Sequence, residues 1–171
     1  MFAPLGQKTS QVARNFLPFL TTLFLVLLGV MVWPVPSLGD IAPTFGLAAI
    51  YYWAVYRPDL LRPSSVFVLG LLNDAVNDMP LGLSGLLFLG VYQLAVTYRR
   101  FFAGQHFLML WLGFAVLSFC AALLSFAGLS LYKGVLLQPL AVTAQYVLTA
   151  TLFPLLAWLL NRTQRFFLTQ G

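Results

Sequence analysis

Asn73, Asp74, Asn77 and Asp78 form two interleaved i, i+4 pairs in a chain whose only other acidic residues are Asp40 and Asp59. On a helix Asn73 and Asn77 share a face, as do Asp74 and Asp78, and the two aspartates would repel. An ionised carboxylate at mid-membrane costs at least about 2.5 kcal/mol. Two kinds of arrangement avoid that cost. The cluster is a water-exposed helix end whose Asp and Asn cap the next stretch of chain, or it is buried with partners, as a structural clamp or as a ligand or proton site. Lys133 could pair with Asp40, Asp74 or Asp78, or snorkel into the head-group zone. His106 and Cys120 are the single histidine and the single cysteine. His106 reads as a solvated loop residue and Cys120 as a small packing residue. No Ser–His–acid set, metal cluster or phosphate-cradling glycine loop is visible, so no catalytic residue, cofactor or metal is expected.

These groups have to be positioned by apolar helices. The 171 residues are 61% hydrophobic and 8% charged, with no Glu. A soluble domain carries about 25% charged residues. A chain this poor in charge is suited to lipid rather than water. A crossing needs about 20 apolar residues, fewer in a thin bilayer. Six runs qualify as spans, at about 16–32, 41–56, 64–76, 83–98, 107–129 and 134–160. The expected fold is all-α, a single transmembrane domain built as a bundle of six helices. Pro18 falls in the first turn of the first span, where a missing N–H costs least. Pro4 and Gly6 argue against a long helix before it. Trp33, Pro34 and Pro36 end the span. Tyr51, Tyr52, Trp53 and Tyr56 read as an aromatic belt at the inner end of the second. The third is interrupted by the polar cluster and by Met79-Pro80-Leu81-Gly82. Pro154 lies well inside the sixth and should kink it.

With the N-terminus inside, the inner segments hold Lys8, Arg14, Arg57, Arg62, Arg99, Arg100, Arg162 and Arg165, and the outer ones only Lys133. This is the positive-inside pattern, with both termini in the cytoplasm. The net charge of +5 needs no nucleic acid, since no clustered basic face exists to neutralise a row of phosphates. Arg57, Arg62, Arg99 and Arg100 could meet cytoplasmic partners or anionic membrane lipid. Ser118 to Ala122 and Ala121 to Ser125 are small-xxx-small steps on the fifth span, suited to internal packing or to a partner helix. Gln93, Thr97, Gln138, Thr143, Gln145 and Thr149 can hydrogen-bond between helices.

Arg57-Pro58 after an aromatic-rich span, Gly70-Leu71-Leu72-Asn73-Asp74, Pro80-Leu81-Gly82-Leu83, Tyr92 and the pair Arg99-Arg100 together resemble MreD, the rod shape-determining membrane protein family. The specific part covers Tyr52 to Arg100. Asn77 and Asp78 depart from it, standing where the family leads us to expect variable or glycine-containing positions. The resemblance implies a non-enzymatic membrane scaffold or regulator of the bacterial cell-elongation complex that guides lateral peptidoglycan synthesis. It implies a multi-pass protein of the cytoplasmic (inner) membrane. The implied direct partner is MreC; the implied indirect partners are RodA, the class B penicillin-binding transpeptidase and MreB. It also implies a fold similar to the S component of energy-coupling factor transporters, with Asp74 matching the family aspartate and holding the junction of spans 3 and 4. The alternative is a small-molecule or lipid binder of the S-component type, using Asn73, Asp74, Asn77 and Asp78 as polar contacts.

Overall fold

The computed structural model describes residues 5–29, 33–35, 39–41, 43–103, 106–134 and 139–168. They form six helices: α1 (Leu5–Gly29), α2 (Phe45–Tyr56), α3 (Pro63–Val76), α4 (Leu83–Ala103), α5 (Phe107–Lys133) and α6 (Pro139–Leu168). Between α1 and α2 run two short strands, β1 (Trp33–Val35) and β2 (Gly39–Ile41). They pair antiparallel, with Trp33 opposite Ile41 and Pro34 opposite Asp40.

The fold class is all-α as expected, and this short strand pair lies where the second span was expected to begin. Pro34 and Pro36 have no N–H for a helix and favour extended backbone around them. A two-stranded ribbon is all edge, where proline is tolerated. Ile41 therefore belongs to a strand, and α2 starts four residues later than expected. A second correction falls at the N-terminus. α1 begins at Leu5, so Pro18 lies inside the helix rather than in its first turn. One interior proline removes a single backbone hydrogen bond and does not end the helix. The Pro18 carbonyl accepts the hydroxyls of Thr21 and Thr22, at 3.1 and 2.6 Å.

α2 is the centre of the bundle. It is apolar all round, and a helix of that kind is stable where every side is covered. All residues from Phe45 to Val55 are buried, packed by the other five helices. Tyr51, Tyr52 and Trp53 are thus core residues (0%, 3% and 0% exposed) and not an interfacial belt; Tyr56 alone of the four is exposed. Each buried polar tip finds an acceptor. Tyr51 donates to the Leu110 carbonyl at 3.1 Å, Tyr52 to Gln164 Oε1 at 3.1 Å, and Trp53 Nε1 to Thr21 Oγ1 at 3.2 Å. Phe114 and Phe153 stack with ring centroids 4.2 Å apart, and both rings pack against Tyr51.

Pro154 sits inside α6, where its missing N–H leaves the Ala150 carbonyl without its helical donor. The Trp111 indole of α5 fills that vacancy, with Nε1 donating to the Ala150 oxygen at 2.9 Å. The same bond ties α5 to α6. Cys120 is exposed on α5 instead of packed, because it falls on the outward side of that helix.

Candidate functional site

α3 has 14 residues and so rises only about 21 Å. Pro63 opens it at the first position, where proline is favoured. Its last turn carries Asn73 and Asp74, and the chain then turns back into α4. Asp78 takes φ 50° and Gly82 φ 101°. Glycine adopts such angles freely, and Asp is one of the few other residues to visit the left-handed region. Because α3 stops at Val76, Asp78 leaves the helical face it would have shared with Asp74. It is exposed, whereas Asp74 is buried. The expected i, i+4 repulsion therefore does not arise.

Asp74 is 0% exposed. Its carboxylate accepts the Gly82 N–H at 2.8 Å and the Ser84 N–H at 3.0 and 3.1 Å. These amides belong to the start of α4, where a helix has no internal acceptors to offer. A carboxylate is disfavoured at the negative end of its own helix, but here it faces the positive end of the next one. Asp74 of α3 thus acts as the cap of α4. Around it, Asn73 Nδ2 donates to Ser84 Oγ at 3.1 Å, and Asn77 Nδ2 donates to the Asn73 carbonyl at 2.7 Å. One turn before Asp74, the two backbones touch. A Cβ on Gly70 would come within 2.6 Å of the Gly85 nitrogen and 2.9 Å of the Ser84 carbonyl carbon.

Beside this junction lies a cavity of about 100 Å³. Gly29, Asn73, Asn77 and the stretch Ser118 to Leu129 reach it from the C-terminal parts of α1, α3 and α5; Leu47, Ser84 and the stretch Val142 to Thr149 reach it from the N-terminal parts of α2, α4 and α6. Successive helices therefore alternate in direction. Ser118, Ala121, Ala122 and Ser125 all line this cavity, so the small-residue steps of α5 face inward. Thr44, Gln145, Tyr146 and Thr149 join them. Gln145 Nε2 donates to Thr44 Oγ1 at 3.1 Å, and the Thr44 N–H donates to Thr149 Oγ1 at 3.1 Å. Thr44 escaped the sequence reading, because nothing local marks a residue just before a helix as part of a remote wall. No charged side chain lines the cavity among the described residues. The lining can hold water or uncharged hydrogen-bonding groups.

Lys133 lies exposed in the last turn of α5, while the Asp74 carboxylate is taken up by backbone amides. The Asp40 side chain and Gln138 lie outside the described residues. The arginines gather at the end of the bundle opposite the cavity. Arg62 and Arg100 are exposed, and Arg57 and Arg99 half-buried. Tyr92 holds the loop between Arg57 and Arg62, its hydroxyl donating to the Leu61 carbonyl at 2.7 Å. Among the described residues no group of His, Cys and acidic side chains gathers to hold a metal ion.

Among the described residues six helices build the bundle, and two of them, Phe107–Lys133 and Pro139–Arg165, are long and apolar enough to cross a membrane. Comparison with known protein families matches residues 10–163 to rod shape-determining protein MreD. The chain belongs to the MreD family, and that membership assigns it a role in rod shape determination. Neither the curated proteins nor the solved structures contain a match to it.

Proposed function

We propose that this chain is a six-span scaffold of the bacterial cell-elongation complex, acting on lateral peptidoglycan synthesis by binding MreC. RodA, the class B penicillin-binding transpeptidase and MreB are its indirect partners. The observation that carries this reading is the family match over residues 10–163. The junction supports six crossings. α2 and α3, at 12 and 14 residues, are shorter than a hydrocarbon core of about 30 Å. Irregular backbone at membrane depth is tolerated only where protein satisfies it, and Asp74 supplies acceptors to the amides of Gly82 and Ser84. The concentration of arginine at one end supports a cytoplasmic location for that end and for both termini in the inner membrane. Arg57, Arg62, Arg99 and Arg100 are then available to cytoplasmic partners or anionic lipid. Exposed apolar residues such as Leu112, Val116 and Leu124 are suited to lipid tails and partner helices.

The experiment is co-purification of MreC with the tagged chain from co-expressing cells, beside reporter fusions after Arg100 and Lys133. Stoichiometric MreC, with the Arg100 fusion cytoplasmic and the Lys133 fusion external, is the expected result. A chain that leaves MreC behind, or a periplasmic Arg100 fusion, overturns the reading.

One observation favours a second reading, a small-molecule or lipid binder with an S-component-like fold. The cavity carries uncharged hydrogen-bonding side chains on several helices. Its size weighs against it. At about 100 Å³ it falls well short of the roughly 300–1,000 Å³ of pockets that take drug-sized ligands. Native mass spectrometry decides, because a stoichiometric small molecule retained by the purified protein would favour the binder.

A further inference from the structure

The outward face of α4 carries a polar group that finds no partner among the described residues. Leu86, Gly90, Gln93, Thr97 and Arg100 follow one another at three- and four-residue steps and form one stripe, and all five are exposed. Exposed threonines elsewhere on the bundle turn their hydroxyls back onto their own helix. Thr97, Thr143, Thr151 and Thr163 each donate to the carbonyl four residues earlier, at 2.8, 3.0, 2.7 and 3.0 Å. The Gln93 amide has no such partner among the described residues. A carboxamide carries two donors and an acceptor, more than a helix surface can satisfy. Gln93 lies about 15 Å along α4 from Leu83 and about 9 Å before Arg99. On the six-span reading, on which this inference rests, that is mid-depth in the hydrocarbon, where water cannot serve it. Gly90, one turn away, leaves a notch. A Cβ placed there would meet nothing within 4 Å.

We infer that this face docks a spanning helix of a different polypeptide, one that presents an amide or hydroxyl side chain to Gln93 and has an acidic or uncharged cytoplasmic end. Charge decides against a second copy of this chain. A two-fold pairing through the stripe would satisfy Gln93 with its own counterpart, but it would also set Arg100 against Arg100. Gly90 lets the partner backbone come close, and Gln93 then fixes its depth.

The test uses the full chain in phosphatidylcholine vesicles, donor-labelled at the C-terminus. Two acceptor-labelled leucine helices serve as probes, one with a single central Asn and one without. The Asn helix should bind roughly 3- to 30-fold more tightly than the all-leucine helix. Gln93→Leu should abolish that preference, and Val147→Phe on α6, also exposed, should leave it intact. Equal binding of both probes to the wild-type chain, or a preference that survives Gln93→Leu, overturns the proposal. Energy transfer between two copies of the wild-type chain that disappears in Gln93→Leu also overturns it, in favour of self-association. Labelling of Gln93→Cys by a water-soluble maleimide would place position 93 in water and remove the six-span reading as well. Resistance to that reagent with no probe preference refutes the docking face alone.

Discussion

Replacing Asp74 by Ala removes the acceptor that joins α3 to α4. The carboxylate accepts two backbone amides, those of Gly82 and Ser84, and a hydrogen bond to a charged group contributes about 1.5–3 kcal/mol. The buried Ser84 N–H would be left without an acceptor and cannot turn to water. The expected loss is about 3–5 kcal/mol. For a chain of this length 1 kcal/mol moves the midpoint by about 2–4 °C, which gives a fall of roughly 6–20 °C. Asp74→Asn keeps one acceptor oxygen but turns an amide group toward the second donor, so it should melt between Asp74→Ala and wild type. Asp59→Ala, at an exposed loop position, should stay within about 0.5 kcal/mol. The assay heats detergent-solubilised protein and measures the remaining monodisperse fraction by fluorescence-detected size exclusion. An Asp74→Ala midpoint indistinguishable from that of Asp59→Ala refutes the reasoning.

Gly70→Ala should destabilise by about 1–3 kcal/mol, because its Cβ meets the Gly85 backbone. Gly85→Ala should cost less in the same melt, since its nearest atoms, at 3.0 and 3.2 Å, belong to the Phe67 ring, which can move. Trp111→Phe should cost about 1–3 kcal/mol by stranding the Ala150 carbonyl. In a Pro154→Ala background that carbonyl regains a helical donor, so the double-mutant cycle should show a coupling of about 1 kcal/mol; simple additivity would count against the pairing. Asp78→Gly should stay within about 1 kcal/mol of wild type, and Asp78→Val should lose about 1–2 kcal/mol, read as the difference between their melting midpoints. Equal midpoints would show that the left-handed turn at Asp78 carries no cost.

Much of the helical layout is legible in the hydropathy and charge pattern. α3 ends at Val76, α4 starts at Leu83 and α5 starts at Phe107, as the apolar runs and their flanking polar residues indicate. Prolines, glycines and charges act locally, so their effect on helix ends can be read from neighbouring residues. Burial and pairing depend on contacts remote in the chain, and those required the folded bundle. Hydropathy alone could not tell that the aromatic run of α2 lies at the centre instead of in the interface, because apolar side chains suit both places. The pairing of Trp33–Val35 with Gly39–Ile41 was hidden for a similar reason, since prolines announce the end of a helix but not the partner of a strand. Asp74 drew notice through its chemistry, yet its acceptance of the Gly82 and Ser84 amides depends on a left-handed turn at Asp78 and on the close approach of Gly70 to Gly85. The Trp111 bond to Ala150 and the bare Gln93 amide likewise exist only once neighbouring helices have taken their relative rotation, which no residue states by itself.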